Sequence, residues 1–109
     1  MKVSFMSGPN DGLQLWLHDR EGKGYAIVDG WQFGIGRRED SDLQIPFDTQ
    51  VSRDHALLKI HKGAVWLEDS NSRNGTMVDH HFIVQPARLE RGTFFRVGHT
   101  WLRLEDYSS

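Results

Sequence analysis

The stretch HALLKIHKGAVWLED, His55–Asp69, decides the fold class. Ala56, Leu58 and Ile60 alternate with His55, Leu57 and Lys59, the period of two that sends successive side chains to opposite faces of a strand. His61-Lys62-Gly63 then interrupts, and a second apolar run, Ala64–Asp69, follows at once. Two short apolar runs joined by a turn-forming triplet read as a β-hairpin.

The same texture continues outward in both directions. Upstream lie KVSFM (2–6), LQLWL (13–17), YAIV (25–28) and WQFGI (31–35); downstream lie TFFRV (93–97) and TWLRLE (100–105). Leu13, Leu15 and Leu17 oppose Gln14, Trp16 and His18, while Leu102 and Leu104 oppose Trp101, Arg103 and Glu105. Arg91-Gly92-Thr93 separates the last pair of runs from what precedes it, and 11 glycines and 3 prolines punctuate the chain. No long window carries helical spacing; the best candidate, Gln85–Arg91, is broken at Pro86. Regular short strands with turn signals between them predict an all-β sandwich or barrel, one domain over residues 1–109, without repeats.

Composition narrows the function classes. The formal net charge of the 109 residues is only -2, which argues against wholesale affinity for nucleic acid or membrane surfaces. There are no cysteines, so disulfides and thiolate metal sites are excluded, as suits a reducing compartment. The apolar start breaks at Ser7-Gly8-Pro9, unlike a signal peptide, and no apolar run reaches the length of a membrane span. A cytoplasmic location is expected.

Three loops carry more chemistry than a turn requires: Gly36–Leu43 (GRREDSDL), Thr49–Ala56 (TQVSRDHA) and Asp69–Thr76 (DSNSRNGT). They bring Arg37, Arg38, Arg53 and Arg73, the hydroxyls of Ser52, Ser72 and Thr76, and the amide of Asn74. Arginine offers a planar fork of donors matched to phosphate or carboxylate, and hydroxyls donate to the same oxygens. Gly36 and Gly75 allow close backbone approach. If the loops converge, they form a site for a small dianion such as a phosphorylated side chain; taken singly, each is also consistent with a solvated turn. Asn74-Gly75-Thr76 also fits the glycosylation pattern, which needs a secretory route the chain shows no sign of taking.

The ordered set Gly36-Arg37, Ser41-Asp42-Leu43, Val51-Ser52-Arg53-Asp54-His55-Ala56 and Asp69…Ser72-Arg73-Asn74-Gly75-Thr76 resembles the forkhead-associated (FHA) domain family. The closing LERGTFFRVGHTWLRLE is similar to that family's usual ending, so the resemblance spans nearly the whole chain. It implies a β-sandwich of about eleven strands in two twisted, mainly antiparallel sheets, recognising phosphothreonine through loops at one end. It further implies that Arg37 and Ser52 bind phosphate oxygens and that Arg53 borders the phosphate or the peptide. Asn74 would fix the peptide backbone. Arg73 stands where the family often places a small hydroxyl residue that contacts the ligand, so its contact can shift to the phosphate or to an acidic side chain. Gly36 and His55 would be architectural, the histidine tying loops together beneath the phosphate, with Gly75, Thr76 and Asp69 bracing the third loop. A second departure is Asp79-His80-His81, where the family commonly has a tight Asn-Gly turn; either His80 or His81 takes an unfavourable backbone conformation or the hairpin is longer.

Other readings are weaker. Ser52, Asp54 and His55 are neighbours in sequence but lack the strand–turn–helix setting of a nucleophile, so no catalysis is expected. His55, His61, His80, His81 and His99 do not have metal-ligand spacing, and no metal or cofactor is expected. GIGRRE lacks the third glycine and the helix of a dinucleotide site. Trp66 and Trp101 sit inside strand patterns, whereas Trp16 and Trp31 suit a partly exposed protein-contact patch. Acidic neighbours of the arginines disfavour nucleic acid. The expected function is a non-enzymatic module that binds phosphothreonine on a partner in a Ser/Thr kinase pathway. The alternative is a phosphorylation-independent interaction or oligomerisation module using a sheet face.

Overall fold

The structure is a computed structural model describing residues 1–17 and 29–107; the expected strand at 25–28 and His18 lie outside the described residues. Eleven strands and no helix occur among the described residues: β1 (Lys2–Phe5), β2 (Gln14–Trp16), β3 (Gln32–Gly36), β4 (Leu43–Gln44), β5 (Ala56–His61), β6 (Ala64–Asp69), β7 (Thr76–Val78), β8 (His81–Phe82), β9 (Ala87–Leu89), β10 (Phe94–Val97) and β11 (Thr100–Asp106). One sheet has the order β2-β1-β11-β10-β7-β8, the other β4-β3-β5-β6-β9. All pairings are antiparallel except β3 with β4. The chain is thus the all-β sandwich that the alternation predicts.

The β5–β6 hairpin is paired from Ala56↔Asp69 to His61↔Ala64, with Lys62 and Gly63 alone at the tip. Both tip residues have positive φ (51° and 72°), the type I′ geometry whose twist matches that of the flanking strands. Ala56, Leu58 and Ile60 turn inward, joined by Val65 and Leu67 of β6 and by Phe33 and Ile35 of β3. Val3, Phe5, Phe95, Val97, Leu102 and Leu104 face them from the other sheet. Each of these larger side chains contributes about 1.5–3 kcal/mol by leaving water. The run at 13–17 is less regular than its pattern: Leu17 is buried, but Leu13 is exposed because β2 spans only Gln14–Trp16 and Leu13 belongs to the preceding turn.

The second hairpin, β7–β8, is tight. Val78 pairs with His81, so Asp79 and His80 form the whole turn, with φ of 47° and 69°. The unfavourable conformation therefore falls on Asp79 and His80 and spares His81. The His80 ring offsets part of its backbone cost by meeting the Trp101 ring, centroids 5.5 Å apart. On the outer face of this sheet, Trp101, Arg96, Met77 and Phe82 form one cross-strand row, with the Arg96 guanidinium over both the Trp101 and Phe82 rings.

Register also sets where the loops emerge. Ile35 pairs with Ala56 and Ala56 with Asp69, so β3 ends, β5 begins and β6 ends at one level. The segments 37–42, 45–55 and 70–75 leave the sandwich together. In the opposite sheet Thr76 pairs with Val97, which brings the β10–β11 turn at Gly98-His99 to the same end.

Candidate functional site

Gly36 closes the first join. A β-carbon built there would lie 1.9 Å from the Arg53 carbonyl oxygen, so only glycine lets the end of β3 rest against the second loop. Next to it, the Arg37 N–H donates to the Ser52 carbonyl at 3.2 Å. His55 makes the central join. It has the outward parity of β5, yet it is fully buried because the 70–75 loop covers it. Its Nδ1 accepts the Ser52 N–H at 2.9 Å, and its Nε2 lies 2.8 Å from the Gly75 carbonyl. An N–H donor at one nitrogen and a carbonyl at the other define a neutral ring with its proton on Nε2. The backbone of His55 adds two more ties, its N–H to Ile35 and its carbonyl to the Ser70 N–H.

Asp69 holds the third loop in a closed turn. It accepts the Ser72 N–H at 3.0 Å and the hydroxyls of Ser72 and Thr76 at 2.5 and 2.7 Å. The Ser72 hydroxyl in turn accepts the Gly75 N–H. Burial opposes ionisation of Asp69, but these donors outweigh it and hold the carboxyl below its ordinary range. Gly75 has φ of 84°, which favours glycine, and a β-carbon there would also displace the exposed Phe82 ring, 2.7 Å away. Thr76 is buried beneath.

Asp48, which sequence reasoning did not single out, does the same for the second loop. Its carboxylate accepts the Gln50 N–H, the His99 N–H and the Thr100 hydroxyl at 2.9, 2.8 and 2.7 Å. Burial again works against the charge, and the bonds from Thr100, Gln50 and His99 overcome it, lowering its pKa. Gly98, also missed, packs against the backbone of Gln50 and Val51 so closely that a β-carbon would come within 3.0 Å of it. The Asp-Thr-Gln start of an Asx turn was a local signal for Asp48; its partners some fifty residues away had none.

Above this frame the cations divide into two sets. Arg38 is paired with Asp40 and Asp54, at 3.5 and 3.1 Å. Arg37, Arg53 and Arg73 are exposed and have no carboxylate partner among the described residues. Arg37 and Arg53 line an open depression of about 520 Å³ with Arg38, Glu39 and Asp40. The Ser52 hydroxyl oxygen accepts the Arg73 N–H at 3.1 Å, which leaves its own proton available to donate. Asn74 is partly committed: its Nδ2 donates to the Gln50 carbonyl at 2.9 Å, while its Oδ1 makes no hydrogen bond among the described residues. The structure therefore brings Gly36, Arg37, Ser52, Arg53, His55, Arg73, Asn74, Gly75 and Thr76 to one end of the sandwich. Chemically, that end offers unpaired guanidiniums and a hydroxyl to an anion, and an amide oxygen to an N–H donor. No group of three or more His, Cys, Asp or Glu residues suited to a metal occurs among the described residues.

Comparison with known proteins agrees with this geometry. The FHA domain family model matches residues 33–98. FhaA, an FHA domain-containing protein of Mycobacterium tuberculosis, is 37% identical over 88 residues, covering 81% of this chain and 16% of FhaA. This chain therefore spans only a small part of that relative's length. A solved domain from a structural and functional analysis of phosphothreonine-dependent FHA domain interactions superposes with a TM-score of 0.73 at 27% identity, covering 99% of this chain and 97% of that one. The FhaA FHA domain, solved in complex with the intracellular domain of Rv3910, gives a TM-score of 0.71 at 27% identity over 94% of this chain and 96% of its own. With the family model covering well over half of the residues and the loops tied in the same order as the motifs, the chain belongs to the FHA domain family.

Proposed function

We propose that this chain is a non-enzymatic recognition module that binds phosphothreonine in a partner protein phosphorylated by a Ser/Thr kinase, in the cytoplasm. The observation that carries the reading is that the Ser52 hydroxyl, whose oxygen accepts the Arg73 N–H, lies at the same loop end as the unpaired Arg37 and Arg53, which share one open depression. Two guanidinium forks and one hydroxyl provide charge-assisted donors for the three terminal oxygens of a phosphate monoester. A bare phosphate at an exposed loop tip gains little, so peptide contacts must add affinity. The Asn74 Oδ1 is the group on hand to accept a backbone N–H of the peptide. Gly36, His55, Gly75 and Thr76 support the site from below and touch no ligand.

The test is a fluorescence-polarisation titration of phosphothreonine peptides against their unphosphorylated twins. Phosphate-dependent binding is expected, and equal affinity for both sets refutes the reading. A sheet-face interaction module is the second reading, favoured by the exposed Phe82 and Phe94 and by the groove among Met6, Asp79, His80, Phe94 and Trp101. Binding insensitive to phosphorylation, and lost on Trp101→Ala, would select it.

A further inference from the structure

The outer face of the six-stranded sheet gathers aromatic side chains instead of scattering them. The cross-strand row that holds Trp101, Arg96 and the exposed Phe82 runs past Phe94, which is also exposed. Trp101 and Phe94 wall an open groove of about 380 Å³, and Asp79 lines it from the β7–β8 turn. Clustered exposed apolar surface of this kind marks a contact site more often than a solvated face.

The charged side chains of these strands and of the β7–β8 turn are engaged, with two exceptions. Arg103 binds Glu105 at 2.6 Å and lies over the Phe94 ring. Lys2 lies over the Trp16 ring and also attracts Glu105. Asp106 is held by Arg91 at 3.3 Å. One cation and one anion remain. The Arg96 guanidinium packs on the Trp101 and Phe82 rings, and the Asp79 carboxylate is exposed. Neither has an ion-pair partner among the described residues, and they are not paired with each other. Trp101 is common to both, since Arg96 stacks on its ring and Asp79 lines the groove it walls.

A patch with one positive and one negative group at separate points beside an apolar centre is complementary to its own copy turned about a twofold axis. Against a surface of single sign, one of the two groups would be covered without a partner, which is costly. Against a second copy, Arg96 of each chain meets Asp79 of the other, and both are satisfied at once. The aromatic packing of Arg96 restricts it before contact, so pairing orders it less than it would a free side chain. We infer that this face is an isologous contact between two copies of the chain, with Arg96 paired to Asp79 twice across it and Trp101 between the pairs. The contact uses none of the loop donors and does not rest on the phosphothreonine reading. Because the pairs are at a surface, association is weak and falls as salt rises.

The experiment is sedimentation velocity on the full chain, without any peptide, from about 10 μM to about 1 mM, the range of small transient interfaces. The native chain is expected to shift from monomer toward dimer across it. Arg96→Glu and Asp79→Lys each place like charges opposite one another twice, and each should weaken self-association at least about tenfold. Mixed in equal amounts, the two variants should associate again, because the new acid meets the new base while the native Arg96 of one copy meets the native Asp79 of the other. Melting temperatures verify that both variants fold; Lys62 already adopts a turn φ of 51°, close to the 47° of Asp79. Should Asp79→Lys fail to fold, Asp79→Asn and Arg96→Gln replace the pair, and the double variant should then associate no more weakly than either single one. A native chain that stays monomeric up to about 1 mM overturns the inference. A dimer undiminished by either reversal, or folded variants whose mixture does not associate again, overturns it equally.

Discussion

Replacing His55 with alanine tests whether the loops form a single braced unit. The ring is fully buried and joins Ser52 to Gly75 across two loops. Its removal deletes two hydrogen bonds worth about 1 kcal/mol each and leaves an N–H and a carbonyl without partners, at about 1–3 kcal/mol apiece if water stays out. Water entering the vacated space lowers the second figure, so a net loss of about 3–5 kcal/mol is expected. For a domain whose whole stability is about 5–15 kcal/mol, that is a large fraction. The melting temperature should fall by about 12–20 °C. Thermal unfolding followed by tryptophan fluorescence reads this directly, and amide hydrogen exchange at Ser52 should accelerate in parallel. A fall of less than about 3 °C with unchanged exchange at Ser52 would refute the brace, because the buried ring would then be holding nothing.

Four further outcomes follow from the same geometry. Arg37→Ala should weaken phosphothreonine-peptide binding at least about tenfold with the melting temperature nearly unchanged, since the side chain touches no structural partner; a large loss of stability with intact affinity would reverse its role. Gly36→Ala should destabilise by several kcal/mol, on the order of 3, because the Arg53 carbonyl must move by more than an ångström; retained stability in chemical denaturation would mean the join is soft. Asp48 and Asp69 have pKa values lowered from 3.8 in the folded state, so the unfolded chain binds more protons at acid pH; their contribution is complete above the unfolded value and is lost as pH falls from there through the folded one. Asp48→Asn and Asp69→Asn should therefore flatten the acid limb of a stability–pH curve, and an unchanged limb would contradict the assignment. Lys62→Asn should raise stability by about 0.5 kcal/mol, because asparagine tolerates the left-handed turn better; destabilisation in urea denaturation would count against that account.

Much of the scaffold was readable from the chain because alternation is a local signal. Ala56, Leu58 and Ile60 declare their common face within five residues, and a Lys-Gly tip between two runs leaves few turn types. The run at 13–17 misled because exposure of Leu13 depends on where β2 stops, which its own side chains do not encode. Arg37, Ser52, Arg53, Arg73 and Asn74 could be named because the types that grip anions stand out in a loop. Their mutual placement is another matter. That His55 reaches Gly75, or Asp48 reaches Thr100, depends on which strands pair, and the two partners lie twenty and fifty-two residues away. The commitment of the Asn74 amide to Gln50 belongs to the same class, since the residue type alone offers both donor and acceptor to whatever lies nearest.

The brace under the loops binds mostly main-chain groups: the Ser52 and Gly75 backbones at His55, the Ser72 N–H at Asp69, and the Gln50 and His99 N–H groups at Asp48. Every amino acid supplies a carbonyl, and all but proline an N–H, so the frame does not care which side chains ride on top of it. Positions 37, 53 and 73 are thus free to drift during evolution, or to be randomised in a library, without renegotiating the fold. The same chain can acquire a new vocabulary of partners one surface residue at a time, while change at His55, Asp69 or Gly36 ends the lineage.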